Sequence, residues 1–131
     1  MNDKMIYAGA FLSHPLVGSL DVQIMMQHVT FVFKPDVITQ EIVKRHIGET
    51  LIFKAVGYGY DKKNEGLLVE LVKPVNAEIQ TLFNNIPVPH ITLSVAKGAK
   101  PKDTASLTFK EIPPYEIYTT FGYSDGNEVI I

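Results

Sequence analysis

Eight prolines and nine glycines punctuate the 131 residues, so the regular elements between them must be brief. Met5–Leu12 is a near-continuous apolar run and reads as a buried strand. Ser13-His14-Pro15 breaks it, and Gln27–Phe33, rich in β-branched and aromatic residues, reads as a second strand ended by Lys34-Pro35-Asp36. A short helix is expected from about Ile38 to Ile47, with Ile38 and Ile42 one turn apart and Gly48 at the stop. Leu51–Tyr60 and Gly66–Val72 read as a hairpin around the polar loop of residues 61–65. Val75, Ile79, Leu82, Phe83 and Ile86 make an apolar helical stripe behind Pro74, and Pro87-Val88-Pro89 forces an extended entry into a strand over His90–Val95. Glu116–Tyr123 and Glu128–Ile131 close the chain as a strand pair. The expected fold is α+β, a mostly antiparallel sheet with two helices and a loosely two-lobed order, in one domain over residues 1–131.

Composition sets the outer bounds. Apolar residues make up 46% and charged residues 20%, ordinary for a globular chain and unlike a disordered one. A chain of this length removes roughly two thirds of its unfolded surface from water, enough for one core. There is no cysteine, which removes disulfides, thiolate metal sites and cysteine nucleophiles together and fits a reducing, cytoplasmic setting. No run approaches 18 apolar residues, so no membrane span is expected, and with Met1-Asn2-Asp3-Lys4 in place of a basic region before a long apolar run no cleaved secretory signal is expected. Twelve Lys+Arg against fourteen Asp+Glu give a net charge of −2, which disfavours a grip on extended duplex nucleic acid and is compatible with a small anionic ligand.

One pattern carries chemistry. His28-Val29-Thr30-Phe31 and His90-Ile91-Thr92-Leu93 each open a strand. Alternation places His28 and Thr30 on one face and Val29, Phe31 and Phe33 on the other; the same holds for His90, Thr92 and Ser94 against Ile91, Leu93 and Val95. Nine threonines in the chain give any histidine roughly a 7% chance of a threonine two positions on, so two such hits among four histidines are a matter of a few per cent. Were the strands to share a sheet, two imidazole–hydroxyl pairs would face one cleft. Hydrolysis of a cyclic phosphodiester needs a base for water and an acid for the departing ribose oxygen, and imidazole fills both roles near neutrality. Threonine hydroxyls on rigid strands supply donors to phosphoryl oxygens. The bland alternative is two half-buried histidines bonded to backbone, with threonine present for its β-propensity.

With these motifs, the opening strand Tyr7-Ala8-Gly9-Ala10-Phe11-Leu12 and the strand Pro89-His90-Ile91-Thr92-Leu93, the chain resembles the 2H phosphoesterase superfamily, which includes LigT-like 2′-5′ RNA ligases and cyclic nucleotide phosphodiesterases. The resemblance implies a two-lobed α+β fold around a central cleft, hydrolysis of cyclic or 2′-5′ phosphodiesters without metal or other cofactor, and a site made by His28, Thr30, His90 and Thr92. The expected substrate is a nucleotide or RNA end with a 2′,3′-cyclic phosphate, or a related small cyclic nucleotide. His90 is assigned to water activation and His28 to the leaving oxygen, and the pattern is equally compatible with the reverse. The competing readings are a non-catalytic binder of cyclic nucleotides or RNA ends on the same scaffold, and an interaction protein whose histidines only satisfy the sheet.

Lys97, Lys100 and Lys102 follow the second motif and are candidates to hold a terminal phosphate or a second nucleotide at the rim, Lys97, the nearest, foremost among them; the plainer reading is a solvated turn broken by Gly98 and Pro101. Tyr7 is a candidate platform for a base, where stacking contributes about 1–3 kcal/mol; Tyr123 reads as a core or rim tyrosine. Ser94 shares the face of Thr92. His14 and His46 read as surface residues. No close His/Glu metal spacing, no phosphate loop and no dinucleotide fingerprint is present, Gly57-Tyr58-Gly59 falling inside the hairpin.

Overall fold

The computed structural model describes residues 4–131; residues 1–3, which entered the reading of the N-terminus, lie outside the described residues. In chain order the elements are β1 (Tyr7–Leu12), β2 (Val22–Gln23), β3 (His28–Phe33), α1 (Val37–Arg45), β4 (Thr50–Tyr60), β5 (Asn64–Leu71), α2 (Ala77–Asn84), β6 (His90–Val95), a 3-10 helix (Pro101–Ser106), β7 (Lys110–Ser124) and β8 (Val129–Ile130). The sheet is antiparallel throughout, ordered β1-β3-β6-β5-β4-β7-β8, and pairing of β1 with β7 closes six strands into a barrel. The short β2 pairs with the far end of β6, Val22 opposite Val95. The expectation of a mostly antiparallel α+β domain holds. Among the described residues no helix is long and apolar enough to cross a membrane.

The alternation read in the motif strands runs around the barrel. Val29, Phe31, Ile91, Leu93, Leu67, Val69, Phe53 and Phe121 are buried on one face, each contributing about 1.5–3 kcal/mol by leaving water. Phe31 meets Phe53 and Phe121 edge-on, with centroids 6.2 and 5.4 Å away. Helix α2 lays Ile79, Leu82 and Phe83 on this core and α1 adds Val43. Both helices start at side-chain caps: Asp36 accepts from the Thr39 amide at 2.8 Å, and Asn76 from the Glu78 amide at 2.8 Å, a device contributing about 1 kcal/mol each.

Four local expectations are corrected. Helix α1 spans Val37–Arg45, ending short of the expected Ile47, and it buries Val43 while Ile38 stays 75% exposed. The hairpin loop is only residues 61–63: Asn64 and Glu65 belong to β5 and are buried. Helix α2 begins at Ala77 after its Asn76 cap, later than the apolar stripe suggested. Strand β7 starts at Lys110; a bulge in the register between Ala55 and Gly57 absorbs Pro113 and Pro114.

Candidate active site

Strands β3 and β6 run antiparallel with Val29 opposite Ile91, both fully buried. Continuing that register one residue each way sets His28 opposite Thr92 and Thr30 opposite His90, all four on the face away from the core. In such a ladder opposed side chains stand roughly 4.5–5.5 Å apart at Cβ and diagonal ones, here the two imidazoles, roughly 7–8 Å apart. The outer neighbours repeat the relation. On β1, Phe11 lies opposite His28 and Gly9 opposite Thr30; on β5, Leu68 lies opposite His90 and Gly66 opposite Thr92. A register irregularity precedes each glycine, at Ala8/Gly9 and Glu65/Gly66. A Cβ at Gly9 would stand 2.2 Å from the Val29 carbonyl oxygen, and one at Gly66 2.7 Å from that of Ile91, so both positions require the missing side chain. An approximate twofold relation therefore links β1–β3 to β5–β6.

The imidazoles are held alike. His28 Nδ1 lies 2.8 Å from the Met26 carbonyl oxygen and His90 Nδ1 lies 2.7 Å from that of Val88. A carbonyl only accepts, so each Nδ1 donates, and in the neutral ring Nε2 carries the lone pair. Tyr7 stacks on His28 with centroids 4.7 Å apart and planes 26° apart, and Phe11 tilts against it at 5.5 Å. Burial lowers the His28 pKa below 6.5, its bond to Met26 raises it, and a charge on His90 lowers it further; the net shift is downward.

His28, Thr30, His90 and Thr92 line one cavity of about 440 Å³ together with Ile24, Phe33, Pro101 and Lys102. Ile24, Phe33 and Pro101 supply its apolar surface, and Phe33 is 63% exposed. The Thr92 hydroxyl donates to the Pro101 carbonyl at 3.2 Å and would have to rotate to serve a ligand. Asn64 holds the 3-10 segment that carries Pro101 and Lys102: its side-chain nitrogen donates to the Lys100 carbonyl at 2.8 Å and to the Thr104 hydroxyl at 3.1 Å.

Ile24 reaches the cavity from the loop before β3, which two buried polar groups pin. Gln27 bonds the Leu16 amide and carbonyl, both at 2.7 Å. Glu65, only 4% exposed, accepts from the Ser19 amide at 2.7 Å, the Ser19 hydroxyl at 2.9 Å, the Ser94 hydroxyl at 2.7 Å and the Tyr58 hydroxyl. Burial and the adjoining carboxylate push the Tyr58 pKa to about 12. This clasp sets the course of the loop that ends in Met26, the residue orienting His28.

The four motif residues are thus brought together. Tyr7 lies behind the His28 ring rather than in the cavity wall. Lys97 lies in a neighbouring depression, and Lys102 is the lysine that reaches the cavity. Ser94 is fully buried in the Glu65 clasp. His14 is exposed as expected, but His46 is only 7% exposed, bonded through Nδ1 to Glu49 and through Nε2 to Glu78 at 2.8 Å. Gly9, Gly66, Glu65 and Gln27 escaped the sequence reading. For Gly9, Gly66 and Glu65 the signal was a glycine or a charge set into an otherwise apolar strand; Gln27 carried none. Among the described residues no group of three or more His, Asp or Glu side chains is arranged to hold a metal ion. No family profile and no curated protein matches this chain.

Proposed function

We propose that this protein hydrolyses a cyclic phosphodiester, on a nucleotide or RNA end bearing a 2′,3′-cyclic phosphate or on a related small cyclic or 2′-5′ nucleotide, by acid–base catalysis between two histidines. The observation that supports it is the register of β3 and β6, which turns both His-x-Thr pairs into one cavity of about 440 Å³. In-line displacement at phosphorus puts the attacking and leaving oxygens on opposite sides, and imidazoles on the diagonal of a strand pair can flank a phosphate between them. The cavity lining contains no carboxylate, so its proton-transfer groups near neutrality are imidazoles. The same features favour membership of the 2H phosphoesterase superfamily, with β1–β3 and β5–β6 as the two lobes and the cavity as the cleft between them.

The lowered pKa of His28 makes it the ring that enters the reaction unprotonated, so we assign it the base role and His90 the acid role, the reverse of the order written from sequence. His28 Nε2 takes a proton from water as the water oxygen bonds to phosphorus. The bond from phosphorus to the ribose oxygen breaks, and His90 Nε2 donates its proton to that oxygen. Thr30 and Thr92 donate to the phosphoryl oxygens as charge develops. Incubation with 2′,3′-cyclic nucleotides, 2′-5′ oligonucleotides and cyclic dinucleotides in excess chelator tests the reading. The expected result is one phosphomonoester product with wild type and none with His28→Ala. Bound ligand without product would instead identify a non-catalytic binder, and turnover abolished by chelator would refute the mechanism.

A further inference from the structure

Beside the cavity lies a second depression of about 470 Å³, and Lys63, Lys97, Lys100 and Lys102 all line it. Four of the chain's twelve Lys+Arg converge here in a protein of net charge −2. Among the described residues none of the four forms an ion pair, although Asp103 shares the lining. Backbone bonds fix the segments that carry them: the Ala96 amide donates to the Lys63 carbonyl at 2.8 Å, the Ala99 amide to that of Ala96 at 2.9 Å, and the Asn64 side chain to that of Lys100 at 2.8 Å. Asp103 in the lining and Asp61 beside Lys63 offset part of this positive charge, and an anion would offset the remainder. Lys102 lines both hollows, so they adjoin. A nucleoside 2′,3′-cyclic phosphate has one phosphate and cannot occupy both.

We infer that the lysine depression is a subsite for a second phosphate, and that the substrate is an oligonucleotide whose next phosphodiester rests on Lys63, Lys97 and Lys100 while the cyclic or 2′-5′ linkage is attacked between the histidines. This inference rests on the reading of the reaction given above. It fits two sources of the same chemistry, a linear RNA end and a small cyclic oligonucleotide.

The test compares adenosine 2′,3′-cyclic phosphate, the dinucleotide ApA ending in a 2′,3′-cyclic phosphate, and cyclic di-AMP, by kcat/KM and by its salt dependence. Each added phosphate contact should steepen the log–log salt slope by about 0.7. The triple variant Lys63→Gln/Lys97→Gln/Lys100→Gln, altering exposed side chains only, should lose roughly tenfold in kcat/KM on whichever two-phosphate compound is the substrate and leave the mononucleotide unchanged. Lys54→Gln/Lys73→Gln, outside the depression, should change neither. A linear or cyclic preference names the source. Equal slopes for one and two phosphates, or equal losses on both in the triple variant, overturn the subsite and leave the reaction standing. If wild type hydrolyses none of the three, the reaction falls for these linkages, and calorimetric titration of the same compounds then decides the subsite by the same slopes.

Discussion

Replacing Glu65 by glutamine separates the charge of the buried clasp from its shape. The carboxylate accepts from the Ser19 amide, the Ser19 and Ser94 hydroxyls and the Tyr58 hydroxyl. Glutamine keeps one acceptor oxygen facing the Ser19 amide, and its nitrogen can face the Ser19 and Tyr58 hydroxyls, which rotate to accept. The loss is then confined to charge. Hydrogen bonds to a charged group contribute about 1.5–3 kcal/mol against about 0.5–1.5 for neutral pairs, so four bonds weaken by about 4 kcal/mol together. Removing a buried charge returns several kcal/mol of desolvation. The sign follows from the carboxyl itself: burial pushes its pKa up, yet the bonds from Tyr58, Ser19 and Ser94 outweigh this and hold it below 4.5. The charged form is therefore net stabilised by folding, and Glu65→Gln should cost about 1–2 kcal/mol at neutral pH. A depressed folded-state pKa means stability fully present above 4.5 and lost as pH falls through the folded value. The variant has no such group, so its deficit in urea unfolding should be clear near neutral pH and shrink as pH falls through the folded-state value. A variant as stable as wild type at neutral pH, or a deficit unchanged in acid, refutes the reasoning.

His28→Ala and His90→Ala should each lower kcat by about 10²–10⁴-fold with the fold retained by circular dichroism. The pH profile of kcat/KM should be bell-shaped, with its acid limb below 6.5 because His28 must be neutral and its pKa is lowered. Ile91→Ala, at the buried centre of the motif register, should cost about 2–5 kcal/mol in denaturant unfolding. His46 gives the opposite pH dependence to Glu65: burial lowers its pKa, the carboxylates of Glu78 and Glu49 outweigh that, and the net shift is upward. The stability it contributes is fully present below 6.5 and lost as pH rises through the folded value. His46→Gln should therefore be less stable than wild type in mild acid and match it in base, read by thermal unfolding across pH.

The motif strands were legible because two-residue alternation is a local property: Val29 and Ile91 had to be core if His28 and His90 were not. Helix α1 was legible from Ile38 and Ile42 one turn apart, but its buried face was not: Val43 meets the core while Ile38 stays exposed. Asn64 and Glu65 looked like loop residues by polarity alone; bonds to the Lys100 carbonyl, Thr104, Ser19 and Ser94, all distant in sequence, together with the Tyr58 hydroxyl, make their burial affordable. His46 was misread for the same reason, since its partner Glu78 lies on the other helix.

What confines the β3–β6 contact to the two motifs is visible at either end of it. Beyond His90 the chain runs into Pro89 and Pro87, which have no N–H to extend a ladder. Beyond Thr92 the Leu93 carbonyl accepts from the Ile24 amide at 3.3 Å, because the loop before β3 has taken over that edge and continues into the pairing of β2 with β6. The two strands bridge at Val29 and Ile91, and this register buries both side chains. A slip of one residue would drive His28 or His90 into the barrel and expose Val29 or Ile91. Whatever ligand the cavity takes, the hydrophobic cost of that slip is what keeps the two imidazole–threonine pairs facing each other.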